Sequence, residues 1–227
     1  MPSVIGIALF GSRARADHGP ASDIDLLMWT SEGPAEHFKH GLLSLSFYSR
    51  EDLLERAASG DLFASHLAHE AVAVWDPRGL LEELKAAFRP QVSYEDAIVK
   101  AEDLGYFLLL NSLLVEPSLL NKRAAWVVRT ILIARMLEHS QLTFSPASLI
   151  HGLQAQEAEP LLAAKDDDEI DEERLALLER FLKRFGVRGS APVPAPDFEA
   201  HFRTTNNVFG LKTIWAAAEE TYRGLYA

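Results

Sequence analysis

The chain changes its hydrophobic rhythm near residue 90. Before it, short apolar runs alternate with turn residues; after it, apolar positions recur about every 3.6 residues. Residues 3–10, 23–30, 42–48 and 71–75 read as strands, and 49–59, 61–69 and 80–88 as helices. Ser49 is the expected N-cap of the first of these, with Asp52 in capping-box position. In the second strand Asp23 and Asp25 share one face, so Ile24 and Leu26 are expected to face the core. In the third, Leu43, Leu45 and Phe47 take one face and Ser44 and Ser46 the other. The segment 13–21, broken by Gly19-Pro20, reads as a short helix or loop.

The stretch Arg89-Pro90-Gln91-Val92-Ser93 reads as a junction, dividing the chain into domains 1–90 and 94–227. Beyond it, 94–115 is expected as one long helix capped by Ser93, followed by 118–139 and a helix opened by Ser145-Pro146. Residues 157–165 read as a turn or short helix, and the acidic run 165–169 as solvated surface before a helix over 171–185. A Pro-rich connector, 189–196, leads to a last helix, 197–225, with a break expected near Asn206-Asn207. The fold class is therefore α+β: a small mixed-sheet domain followed by an all-α helical bundle.

Composition narrows the functional classes. The 227 residues are 48% hydrophobic, as in an ordinary globular protein. With no cysteine there is neither a disulfide framework nor a thiolate metal site, which fits a cytoplasmic location. The opening apolar run lacks a basic flank and reads as a strand, not a signal peptide, and no apolar run is long enough to span a membrane. The net charge of −11 is shared by both parts of the chain. Long nucleic acid, which demands clustered Lys and Arg, is thus not an expected partner; cationic small molecules such as aminoglycosides suit the charge better.

The chemistry concentrates in Leu9-Phe10-Gly11-Ser12-Arg13-Ala14-Arg15 and Ser22-Asp23-Ile24-Asp25-Leu26. Two carboxylates side by side on a strand repel each other, and a bound cation relieves them. Oxygen ligands completed by water and phosphate suit Mg²⁺. A Gly-Ser turn opening a helix offers backbone N–H groups to a phosphate.

This pairing of a Gly-Ser turn with Asp-x-Asp resembles the signature of the polymerase-β-like nucleotidyltransferase superfamily, in particular its minimal and antibiotic-modifying branches. Leu62-Phe63, His66-Leu67, Glu70 and Trp75-Asp76-Pro77 extend the resemblance more weakly to about residue 84. The resemblance implies transfer of a nucleoside monophosphate from an NTP, with ATP the expected donor, to a hydroxyl of a small molecule or protein. It places Asp23 and Asp25 as catalytic ligands of Mg²⁺ or Mn²⁺, and Gly11, Ser12, Arg13, Arg15 and Ser22 on the nucleotide side. In the family two ions stand roughly 3.5–4 Å apart.

One departure matters. Catalytically active members of the superfamily usually carry a third carboxylate on the next core strand, and here Ser44 stands in the equivalent place. Serine is neither a strong Mg²⁺ ligand nor a base at neutral pH. Glu51, Asp52 and Asp76 are the candidate substitutes, and His18 is a candidate phosphate contact. The alternative reading is therefore a catalytically weak nucleotide-binding or regulatory module, of the kind found in toxin–antitoxin pairs.

The helical part adds Lys122-Arg123-Ala124-Ala125-Trp126-Val127-Val128-Arg129, cations beside an aromatic, which suit either a triphosphate and base or an amphipathic bundle helix. It also bears a general resemblance to HEPN domains. Those acting as ribonucleases separate Arg and His by four to six residues, whereas Arg135 and His139 have three between them. The oligomeric state is left open.

Overall fold

The computed structural model describes residues 3–20, 22–191 and 197–225, with side chains described as far as residue 218. The Pro-rich connector lies mostly outside the described residues. The chain divides into two compact units, Met1–Val92 and Ser93–Ala227.

The first unit is a five-stranded sheet in the order β3-β4-β2-β1-β5. Its strands are β1 (Val4–Phe10), β2 (Ile24–Thr30), β3 (Glu36–His40), β4 (Leu43–Ser49) and β5 (Val72–Trp75). The pairings β1/β2, β1/β5 and β3/β4 are antiparallel, and β2/β4 is parallel. A one-turn helix α1 (Gly11–Ala14) follows β1, and α2 (Arg50–Ala58), α3 (Leu62–Glu70) and α4 (Leu80–Ala87) complete the unit. Each of these three helices begins at a definite cap. Ser49 Oγ accepts from Asp52 N, Asp61 from Phe63 N and Ala64 N, and Asp76 from Leu80 N and Leu81 N.

The expectation that Ile24 and Leu26 face the core is overturned. Leu27 and Trp29 are the fully buried residues of β2, and they share the face of Asp25. Ile24, Leu26 and Met28 are half-buried on the opposite face. Both faces of β2 are apolar, so alternation alone cannot choose between them. The neighbouring strand decides. Gly6 and Ala8 of β1 lie beside Trp29 and Leu27 on the chosen face, and their small size admits both the indole and a helix. A Cβ on Gly6 would stand 2.9 Å from Leu80 Cδ1 and 3.4 Å from Trp29. Leu53, Ala57, Ala64, Leu67, Leu81 and Leu84 fill the rest of this core.

Strand β3 is a further difference from the expected elements. Its residues are all exposed, so it carries little hydrophobic signal. It pairs with β4 through the two-residue loop Gly41-Leu42, in which Gly41 has φ +57°.

The second unit contains α5 (Glu95–Leu110), α6 (Pro117–Glu138), α7 (Pro146–Leu153), α8 (Ala158–Ala163) with a 3₁₀ turn at Ala164–Asp166, α9 (Glu172–Phe185), α10 (Phe198–Thr204) and α11 (Val208–Leu225). Helix α5 ends earlier than its apolar run, at Asn111, whose side chain donates to Phe107 O at 2.9 Å and competes with the helix for its own carbonyls. The last helical segment does break where expected: Asn206 is left-handed at φ +51°, and Asn207 bonds Lys100 O and Gly210 N.

Two fully buried acids on α5 organise this unit. Glu102 accepts N–H bonds from Val187, Arg188 and Gly189 at 2.8–3.1 Å. Asp103 pairs with Arg188 and with His201 Nε2, the latter at 2.7 Å. Among the described residues no helix is long and apolar enough to cross a membrane.

Trp29 is the largest side chain buried in the first unit. Trp29→Ala is expected to cost about 3–5 kcal/mol. Urea unfolding followed by circular dichroism checks this, as an early loss of the strand-rich transition.

Candidate functional site

Asp25 is held where it is by the β1–β2 register, which sets it directly opposite Phe10, the residue before the Gly-Ser turn. Gly11 then takes a left-handed conformation, φ +72°. A Cβ at Gly11 would stand 2.7 Å from Asp25 Oδ2, so the carboxylate occupies the space that any other residue would fill. Gly11 thus serves twice, for its backbone angle and for the closeness of Asp25. Asp23 lies one residue before β2 begins, two positions from Asp25, and both are half-buried.

The row across the sheet at this level reads Lys39, Ser44, Asp25, Phe10, on β3, β4, β2 and β1 respectively. Ser44 is therefore the immediate neighbour of Asp25, and it is buried. Lys39 Nζ donates to Asp23 Oδ2 at 2.8 Å. In the next row His37 Nδ1 lies 3.2 Å from Ser46 Oγ. Among the described residues Asp25 has no ion-pair partner, and no cluster of three or more His, Cys, Asp or Glu could hold a metal ion. The oxygen donors available at this place are those of Asp23 and Asp25. They fit a hard divalent ion whose other positions are filled by water or phosphate.

The candidate substitutes for the third carboxylate stand elsewhere. Glu51 and Asp52 lie in the first turn of α2, beyond the far end of β4, about 17 Å of strand from Ser44. Asp76 follows the end of β5 that lies beside Ile7, and caps α4. His18 is exposed in the loop between the motifs.

The two arginines of the first motif reach inward. Arg13 donates to the carbonyls of Ser22 at 2.9 Å and Asp23 at 3.1 Å, tying the loop that delivers Asp-x-Asp to α1. Arg15 bonds Asp17 at 3.0 Å and Glu70 at 2.7 Å, and Glu70 also meets His66. These carboxylate bonds hold the Arg15 guanidinium above its ordinary pKa against the opposing effect of burial. His66 in turn sets its ring edge-on to Phe10, with centroids 5.7 Å apart. Ser22 Oγ accepts from Gly19 N at 3.0 Å and closes the turn of the intervening loop.

In the second unit Arg123 and Trp126 of the cation–aromatic patch are half-buried against α11, while Lys122 is exposed. Trp126 stacks on Phe209 with centroids 4.0 Å apart, and the Arg123 guanidinium lies 4.3 Å from the same ring. Burial lowers the pKa of Arg123. Arg135 donates to the carbonyls of Phe185 and Gly186 and pairs with Glu138. Its bonds are those of a structural clamp. His139, at the end of α6, lines a cleft of about 460 Å³ with Met136, Gln141, Gly152, Leu153 and Gln154.

Lys39 is the site residue that the hydrophobic pattern does not reveal, because β3 is exposed on every residue. The available signal was local: alternation through His37-Phe38-Lys39 up to a His40-Gly41 turn, followed by the next strand.

The two glycines at turns of this region offer a test. Gly41 is left-handed and a Cβ there would meet nothing within 4 Å, whereas a Cβ at Gly11 would meet Asp25. Gly41→Ala is expected to cost about 1 kcal/mol from backbone strain alone. Gly11→Ala is expected to cost at least about 1 kcal/mol more, since Asp25 must also move. Denaturant midpoints of the two variants measure the difference; equal losses would mean that the crowding by Asp25 is inconsequential.

Residues 1–99 match the family model of the nucleotidyltransferase domain. No curated protein matches the chain. Among solved structures, a nucleotidyltransferase-like protein from Exiguobacterium sibiricum 255-15 is similar at 18% identity, covering 81% of this chain and 70% of that chain, with a TM-score of 0.31. The family match identifies residues 1–99, which carry the Gly-Ser turn and the Asp-x-Asp strand, as a nucleotidyltransferase domain.

Proposed function

We propose that this chain is a Mg²⁺-dependent nucleotidyltransferase, moving a nucleoside monophosphate from an NTP, with ATP the expected donor, to a hydroxyl of a small molecule or protein. The observation that carries this reading is the placement of Asp25 against Gly11. One carboxylate without an ion-pair partner, a second two residues away, and the turn that opens α1 meet at one end of the sheet. Two acids so placed are costly unless a cation compensates them.

In this reading Asp23 and Asp25 hold the ion, and Gly11 and Ser12 present the backbone N–H and hydroxyl to the triphosphate. The ion, when bound, supplies charge stabilisation to the reacting phosphate. Arg13 acts as a positioning residue: its bonds to the Ser22 and Asp23 carbonyls fix the strand entry on which both carboxylates depend. Arg15 fixes the same turn from the other side through Glu70. Ser44 beside Asp25 brings a hydroxyl and no base.

That serine favours a second reading, a domain that binds metal–nucleotide without efficient transfer. The two readings part on turnover. Transfer of label from [α-³²P]ATP is to be followed over a panel of aminoglycosides and hydroxyl-bearing proteins, beside calorimetry with ATP and Mg²⁺. Asp25→Asn is expected to lower transfer at least about 100-fold. Equal transfer by wild type and Asp25→Asn sinks the metal role, and tight binding without transfer to any acceptor establishes the second reading.

A further inference from the structure

The superfamily pattern described above places a third acid where Ser44 stands; this chain places an ammonium group next to that point. Lys39 is the cross-strand partner of Ser44, which is the cross-strand partner of Asp25, so all three belong to one row on one face. From that row Lys39 reaches past Ser44 to Asp23 Oδ2 at 2.8 Å. The neighbouring cation, Arg13, makes its bonds to the Ser22 and Asp23 backbone carbonyls. Asp25 is thus left with no ion-pair partner among the described residues while Asp23 has one.

We propose that Lys39 is the resident counter-ion of the Asp-x-Asp pair and stands in place of a second divalent ion, so that the site takes one divalent ion per nucleotide. This inference rests on the metal–nucleotide reading of the site. Two carboxylates and one ammonium leave a single net negative charge at the pair. A free divalent ion gains little there and is opposed by the ammonium nearby. An ion that arrives already coordinated by a triphosphate meets weaker opposition, because the phosphate charge also faces Lys39. The pair therefore selects metal–nucleotide over metal alone. The side chain of Lys39 is about half exposed at 54%, so its ion pair is broken and remade at small cost, and its substitution leaves the buried core untouched.

The experiment counts bound Mn²⁺ by electron paramagnetic resonance of the full chain, alone and with a non-hydrolysable ATP analogue. Wild type is expected to bind one Mn²⁺ per chain with the analogue. Lys39→Met is expected to bind Mn²⁺ alone roughly tenfold more tightly, the size of the repulsion between an ammonium and a divalent ion about 5 Å apart in water. Lys39→Arg, which keeps the charge, is expected to stay within about twofold of wild type. Two ions per wild-type chain, an unchanged affinity in Lys39→Met, or an equal gain in Lys39→Arg each overturn the counter-ion role while leaving the site itself standing. No Mn²⁺ uptake by wild type even with the analogue overturns the metal–nucleotide reading and this inference with it.

Discussion

Everything at the candidate site depends on one close approach. The Asp25 carboxylate sits where a side chain at position 11 would begin. The β1–β2 register sets Phe10 against Asp25, and the left-handed turn at Gly11 then carries the chain over the carboxylate into α1. Around this contact the flanking residues act as braces. Arg13 bonds the backbone just before Asp25, and Arg15 reaches Glu70 at the end of α3. A sequence could keep both motifs and still lose the site if either brace let the loop drift by an ångström or so, since positioned groups act only within narrow geometric limits.

Electrostatics then decides what the site can hold. Carboxylates two residues apart on one strand face repel, and the chain answers that repulsion on one side only, through Lys39 on Asp23. Asp25 has no such counter-charge among the described residues, and the proposed reading assigns it the bound ion. The row Lys39-Ser44-Asp25 therefore has the charge order cation, neutral, anion, where the superfamily resemblance implies an acid at position 44 beside Asp25. In the proposed reading that order keeps two ligands for a divalent ion and lacks the third that would fix two of them. The difference bears on chemistry more than on fold: the β2–β4 backbone pairing does not depend on the side chain at position 44, whereas a carboxylate buried there beside Asp25 would need a cation and serine does not.

Local rules recovered most of the first unit. Ser49, Asp61 and Asp76 are side chains whose cap bonds start helices, and residues of this kind announce a helix from their own short-range chemistry. Gly11, Asp23 and Asp25 were visible because their spacing carries meaning without tertiary context. What failed was non-local. Which face of β2 the helices cover depends on Gly6 and Ala8, on another strand. The strand β3 exists because β4 offers it hydrogen bonds, not because its own residues are apolar, and with β3 went Lys39. In the second unit, the early end of α5 at Asn111 is a side-chain competition that an apolar run conceals. Arg123 and Arg135 read as available cations in the sequence; their partners, Phe209 and the carbonyls of Phe185 and Gly186, lie far along the chain.

The two units use the same device to opposite ends. In each, a glycine admits a carboxylate to space that a Cβ would occupy: Gly11 admits Asp25, and Gly186 admits Glu102, whose Oε1 would stand 2.5 Å from such a Cβ. Glu102 is fully buried, and the backbone N–H groups of Val187, Arg188 and Gly189 satisfy it. Its charge is consumed by the fold, and it joins α5 to the end of α9. Asp25 is only half-buried and accepts no such set of donors. A carboxylate placed with equal care beside a glycine but left without such donors is the feature on which the proposed metal–nucleotide reading rests. The contrast between Glu102 and Asp25 lies in what surrounds each carboxylate, with the glycine neighbour held the same, and it is what the proposed role of Asp25 rests on.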